Sequence, residues 1–321
     1  MLLSRVAENI CWAGRYLERA EATARLIMSH TELYVDLPLS ADLGWTPLLA
    51  VTGTQDEFGS RHDLITEDDV IGFLAADSTH HASVPAAIRS ARENLRRTRD
   101  QFPREAYEVV NDLFHWMSDN VATAVPRRSR VSHMRQVIGR CQLLNGILDD
   151  AMSHDVAHAF FEIGRFTERA DMTTRVLDVQ AEILLRQHDE NAPYADVTWM
   201  AALDSLNARQ AFRRSRRVGV AGPEAIAFLL ADAQFPRSVE HCLMRVSRSL
   251  LELPNEERAM KACADVQARL VDLDAPSLDA ADLHELVDQL QEGIAGLQDA
   301  VSATYFEVAT PASEDTLVLA G

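Results

Sequence analysis

The sequence predicts an all-α fold, a helical bundle built from an internal duplication whose halves are related by pseudo-twofold symmetry. Three observations carry this reading. Apolar residues recur at three- and four-residue intervals along most of the 321-residue chain, and no stretch sustains the two-residue alternation of a half-buried strand. The segment WAGRYLERAEATARLI at 12–27 returns as EIGRFTERADMTTRVL at 162–177, identical at Gly14/Gly164, Arg15/Arg165, Glu18/Glu168, Arg19/Arg169, Ala20/Ala170, Thr23/Thr173 and Arg25/Arg175. Chance gives about one identity in such a window. Charged residues match as well as apolar ones, which a common need to face a core does not require, so a duplicated structural unit is the reading.

Each element follows from local signals. Ser4 suits an N-cap, and Val6, Ile10, Ala13, Leu17, Ala20, Ala24 and Ile27 mark one face of a helix running from about residue 5 to 35, before Pro38. Pro38–Trp45 and Thr52–Thr66 read as irregular connections. Helices follow over Glu67–Ala76, Val84–Thr98, Arg104–Val125 and Val131–Ala151. In the second copy Ser153 takes the capping part, and Pro193 closes the long helix. Ala195–Val218, Pro223–Asp232, Pro236–Leu253, Asn255–Val271 and Asp279–Tyr305 complete the set. The correspondence continues through Trp45/Trp199, Phe58/Phe212 and IGFLAADSTHHASV at 71–84 over IAFLLADAQFPRSV at 226–239. The copies therefore span residues 1–150 and 151–310, and 311–321 reads as a flexible tail.

A formal net charge of -18 disfavours nucleic acid and anionic membrane surfaces as partners. Two arginine clusters, Arg127/Arg128/Arg130 and Arg209/Arg213/Arg214/Arg216/Arg217, read as solvated helix faces or loops. The four cysteines lie far apart without metal or disulfide spacing, and no apolar run approaches a membrane span. A soluble cytoplasmic protein is the expectation.

Chemistry is expected on the duplicated helix face. Arg15, Glu18 and Arg19 share one face, and Glu21 and Arg25 pair at four-residue spacing; Arg165, Glu168, Arg169, Asp171 and Arg175 repeat the pattern. Two readings stay open. The faces form an inter-repeat ion-pair network, with Gly14 and Gly164 permitting close backbone approach, or unpaired guanidinium groups bind a carboxylate or phosphate bidentately. Pro236 suits the first turn of a helix, which sets Arg237 near backbone N–H groups that favour an anion.

No metal and no cofactor are expected. Glu-x-x-His is absent, and arginines beside Glu18/Glu21 and Glu168/Asp171 repel a cation. Asp77/His80, Asp112/His115 and Asp155/His158 read as surface pairs. Gly-rich phosphate loops, a GxSxG elbow and HExxH are likewise missing.

Four motifs in order, SRVAENICWAGRYLERAEATARL, ARENLRRTRD from Ala91, GRFTERADMTTRVLDV from Gly164 and FLLADAQFPRSV from Phe228, resemble the bacterial alpha-E family over nearly the whole chain. The resemblance implies an all-helical protein encoded beside, or fused to, a circularly permuted ATP-grasp protein and a transglutaminase-like peptidase. It names no reaction. The chain departs from the family pattern at 152–159, with His154, His158 and Ala159, and reads HHASV where the second copy has FPRSV. The functional expectation is an accessory protein of an ATP-grasp peptide or amide ligase system that presents a carboxylate or peptide substrate. The alternatives are an acid/base enzyme or amide hydrolase using Glu18 or Glu168, and a structural scaffold.

Overall fold

The computed structural model describes residues 2–36, 44–186, 195–215 and 222–307. Fourteen α-helices and no strand occur among the described residues, as the periodicity predicts. They are α1 (Ser4–Asp36), α2 (Thr46–Thr52), α3 (Gln55–Gly59), α4 (Glu67–Ala75), α5 (Val84–Arg97), α6 (Arg104–Asp119) and α7 (Arg127–Ala151), then α8 (Val156–Arg186), α9 (Ala195–Ser205), α10 (Arg209–Ser215), α11 (Gly222–Ala231), α12 (Val239–Leu250), α13 (Glu257–Gln267) and α14 (Ala280–Tyr305).

Two long helices, α1 and α8, form the centre. The first packs on α5, α7, α8 and α9, and the second also receives α12 and α14. Outside them, α6 contacts α5 and α7, while α13 contacts α12 and α14. The expected apolar stripe of α1 is buried at Ile10, Ala13, Leu17, Ala20, Ala24 and Ile27, and Val6 packs at its edge. Arg15, Glu18, Glu21 and Arg25 are buried too, so α1 is enclosed on its polar side as well. An ordinary amphipathic helix would leave those charges in water.

Trp45 and Trp199 are both buried, and Phe58 and Phe212 pack edge-on against Phe73 and Phe228, with centroids 5.3 and 5.5 Å apart. These aromatics hold the short helices α2–α4 and α9–α11 against the central pair.

Several local expectations need correction. The helix α1 begins at Ser4 itself, and Asp155, not Ser153, caps α8 by accepting from the N–H groups of Ala157 and His158. A carboxylate at the cap outcompetes a hydroxyl two residues earlier. Pro236 does not open α12; Ser238 is its N-cap and accepts from His241 N–H. The helix expected over Ala195–Val218 divides at Asn207, which adopts a left-handed φ of 52° that asparagine tolerates. Thr52–Thr66 is less irregular than expected, because α3 forms within it after Gly53 ends α2 with φ 65°. The helix over Arg104–Val125 stops at Asp119, and that over Asn255–Val271 stops at Gln267, each passing into a short 3₁₀ turn.

Arg130 is no solvated residue. Its side chain is fully buried, donates to Glu67 at 2.8 Å and to the Val125 carbonyl, and lies 5.5 Å from the Trp45 ring centroid. Arg128, Arg213 and Arg214 are exposed, as expected. Arg216, Arg217, Pro193, most of Pro38–Trp45 and the tail 311–321 lie outside the described residues. Among the described residues, no helix is long and apolar enough to cross a membrane.

Candidate functional site

Glycine sets the separation of α1 and α8. A Cβ on Gly14 would lie 2.3 Å from the Phe161 carbonyl oxygen, and one on Gly164 would lie 1.9 Å from that of Cys11. The neighbours 11 with 164, 14 with 161, 15 with 168 and 18 with 165 run in opposite senses, so the helices cross antiparallel. Backbones this close leave the long side chains on either flank to reach across the seam.

They do so reciprocally. Glu168 accepts from Arg15 Nε at 2.9 Å and from Arg19 Nε and Nη2 at 2.5 and 2.9 Å. Glu18 accepts from Arg169 Nε and Nη2 at 2.9 and 2.6 Å, with Arg165 Nε at 3.9 Å. Arg237 reaches the same centre from the turn before α12, donating to Glu18 at 2.6 Å and to Glu21 at 2.8 Å. Arg25 donates to the same Glu21 oxygen, Oε1, at 2.8 Å, and Arg175 donates to Asp171 at 2.8 Å. Every site residue the sequence singled out therefore lies in one seam. Arg237 meets a carboxylate of the chain itself, not an external anion at a helix N-terminus.

Burial and charge set the protonation states. Burial alone would raise the Glu18 carboxyl, but Arg169, Arg237 and Arg165 outweigh it and hold Glu18 well below the usual carboxylate range. Burial also opposes ionisation of Glu168, and Arg19 and Arg15 prevail. Such depressed groups stabilise the fold fully above their ordinary value of 4.5, and the contribution is lost as pH falls through the folded value. Urea midpoints followed from about pH 7 to about pH 3 are therefore expected to drop steeply below about pH 4.5. A midpoint unchanged to the acid end contradicts this assignment.

Sequence reasoning missed two members of the seam. Glu162, one turn before Glu18's partner Arg165, is buried and accepts from Arg165 at 3.2 Å and from Arg245 of α12. The i,i+3 spacing of Glu162 and Arg165 was the available signal. The seam's carboxylates Glu18, Glu21, Glu162, Glu168 and Asp171, with Asp149 at its edge, face eight arginines: Arg15, Arg19, Arg25, Arg165, Arg169, Arg175, Arg237 and Arg245. A protein of net charge -18 thus concentrates surplus positive charge along its central crossing.

Arg245 of the seam is partly exposed, and a cleft where two of its arginines, Arg19 and Arg175, stand beside the carboxylates of Glu168 and Asp171 opens to solvent elsewhere. This polar cleft of about 220 Å³ lies beside the crossing, lined by Arg19, Thr23, Thr52, Gly53, His81, Asp171 and Arg175 among others. Arg19 uses Nε and Nη2 on Glu168, and Arg175 uses Nε on Asp171; among the described residues, no hydrogen bond engages Arg19 Nη1 or either terminal nitrogen of Arg175. A larger hollow of about 410 Å³ lies by α9, but its arginines are paired, Arg209 with Asp204 and Arg127 with Glu67.

The histidines also depart from expectation. His80 is fully buried, and Asp77 accepts from Thr79 while pairing with Arg61, so Asp77/His80 is no surface pair. Asp155 caps α8 instead of pairing with a histidine side chain.

The family profile Alpha-E, described as "a predicted alpha-helical domain with a conserved ER motif", matches residues 2–306. The chain carries Glu-Arg three times: at Glu18-Arg19 and Glu168-Arg169, whose four side chains meet across the seam, and at the exposed Glu257-Arg258. The uncharacterized protein Mb2597 of Mycobacterium bovis and the uncharacterized protein Rv2567 of Mycobacterium tuberculosis H37Rv are each 25% identical over 329 residues, covering 94% of this chain. The chain spans 36% of the length of those relatives. No solved structure matches it. With the profile covering the chain from α1 to the end of α14, and both ER dipeptides of its central crossing in place, the protein belongs to the Alpha-E family.

Proposed function

We propose that this chain is a helical accessory protein of an ATP-grasp peptide or amide ligase system, and that the cleft beside the α1–α8 crossing receives a substrate carboxylate. One observation supports the reading: Arg19 and Arg175 line a single polar cleft, beside Glu168 and Asp171, with guanidinium N–H groups that no hydrogen bond uses among the described residues. Two guanidinium groups lining one small polar space suit a carboxylate, which can accept from both. The partners implied by the resemblance, a circularly permuted ATP-grasp protein and a transglutaminase-like peptidase, act on amide bonds and the carboxylates that form them. Activation by ATP is assigned to the ligase, since this chain carries no phosphate-binding loop.

The reading of Glu18 or Glu168 as an acid/base catalyst has less support. Both carboxylates are buried, each is held ionised by two or more arginines, and a general base needs a value near the working pH. Nor is a thiol poised: burial pushes Cys11, Cys242 and Cys263 up to about 12.

The test is affinity purification of the tagged protein from its native host, with co-eluting proteins and small molecules identified by mass spectrometry. A circularly permuted ATP-grasp protein is expected in the eluate of the wild type. A carboxylate-bearing small molecule, if co-eluting, is expected to be lost from Arg175→Ala at unchanged protein yield. Elution with neither an ATP-grasp protein nor a peptidase overturns the proposal.

A further inference from the structure

The loop between α4 and α5 brings two adjacent histidines onto a glutamate of α3. His80 Nδ1 lies 3.0 Å and His81 Nδ1 3.2 Å from the same carboxylate oxygen, Glu57 Oε2, and the three donor atoms fall within 4.8 Å of one another. Neither ring nitrogen of the fully buried His80 has a hydrogen-bond partner; its contact with Glu57 is close but off-line for a hydrogen bond. A buried imidazole left in that state calls for an explanation. An ion among the three atoms would engage Nδ1, while Nε2 stays buried without a hydrogen-bond partner. Zinc bonds of about 2.0–2.1 Å at tetrahedral angles set ligand atoms about 3.3 Å apart, close to the two spacings found here.

The surroundings hold these side chains in place. His80 stacks on Phe73 with centroids 3.8 Å apart, which fixes its ring plane. Arg61 takes the other oxygen of Glu57 at 2.5 Å and Asp77 at 3.2 Å, leaving Oε2 to the histidines. Asp77 in turn accepts from Thr79 N–H and hydroxyl, and Ser83 donates to the His80 carbonyl, so the loop is tied on both sides of the pair. These contacts hold the loop and the Glu57 carboxylate in place, as second-layer partners do around a metal centre, although none of them engages the free ring nitrogen of His80. The guanidinium of Arg61 opposes a cation, and the carboxylates of Asp77 and Glu57 that it bridges offset its charge.

Two other groupings fit a cation less well. Glu162, near Asp149 and His158, is already held by Arg165 and Arg245, and Asp178, His284 and Asp288 form a partly exposed ion-pair cluster.

We infer that Glu57, His80 and His81 form a zinc-binding site with a fourth coordination position left open. Two histidines, one carboxylate and a vacant position are the ligand set of reactive rather than closed structural zinc centres. His81 also lines the cleft of Arg19 and Arg175, so the ion stands at its edge as a further anchor for an anion. The assignment stands on the three side chains and not on the ligase reading.

The experiment uses the full chain, stripped with a chelator and titrated with Zn²⁺ against a chromogenic competitor, then with Co²⁺ for its visible absorption. About one equivalent of Zn²⁺ is expected, with the strong visible band of four-coordinate cobalt. His80 is buried and its replacement risks the fold, so the variants are His81→Ala, at an exposed position, and Glu57→Gln. Each is expected to weaken Zn²⁺ at least about tenfold while the metal-free protein keeps its thermal midpoint. Absence of stoichiometric binding overturns the site. Unchanged affinity in both variants overturns it equally.

Discussion

Gly164→Ala is expected to prevent the native docking of α1 on α8. The new methyl group would stand 1.9 Å from the Cys11 carbonyl oxygen and 2.8 Å from its carbon. These are backbone atoms of a central helix, so no rotamer change relieves the clash. The helices must separate, and each ångström of separation lengthens the seam's ion pairs and opens the packing around Ala13, Leu17 and Ala170. The combined loss exceeds about 4 kcal/mol, in the range reserved for disrupted cores and buried networks. Gly14→Ala, 2.3 Å from the Phe161 oxygen, is expected to be nearly as severe. Gly139→Ala is the control: in exposed helix with nothing within 4 Å of the added atom, it should gain about 0.5–1 kcal/mol. Urea unfolding of the three variants checks the order. Equal small effects at all three would show that close approach is not what these glycines provide.

Glu18→Gln is expected to be the most damaging single change of charge. The carboxylate anchors Arg169 and Arg237 by hydrogen bonds and Arg165 by charge, all three in the low-dielectric seam. An amide keeps the shape and loses the charge, which leaves buried guanidinium groups uncompensated at a cost of about 3–5 kcal/mol. Glu168→Gln removes the partner of Arg15 and Arg19 and should follow closely, though Arg19 is partly exposed and better able to turn to water. The surface pair Arg104–Glu108 offers the contrast, since Glu108→Gln there should cost under about 1 kcal/mol.

Much of this was legible in the chain. The charged residues common to 12–27 and 162–177 identified the helices that meet, because periodicity alone explains apolar matches but not Arg15/Arg165 or Glu18/Glu168. Gly14 and Gly164 indicated a close crossing, since glycine inside a helix is unfavourable unless space demands it. What stayed hidden depends on tertiary placement. Sequence spacing cannot show that Arg237, more than two hundred residues from Glu18, closes the same cage, or that Glu162 and Arg245 extend it. Arg130 looked like part of a solvated cluster because its partners, Glu67 and the Trp45 ring, come from other helices. His80 was visible in the Asp77/His80 spacing and, with His81, as a departure from FPRSV, but their common partner Glu57 stands across a loop.

The central claim is that the ER dipeptides clasp the crossing through mutual charge. A double-mutant cycle between Glu18 and Arg169 by urea unfolding tests it most directly. Glu18→Gln and Arg169→Met are each expected to be costly, and the double variant to lose clearly less than the two losses combined, a coupling of about 2–3 kcal/mol. Losses that simply add would mean that the two side chains do not act as a pair, and the clasp would have to be abandoned.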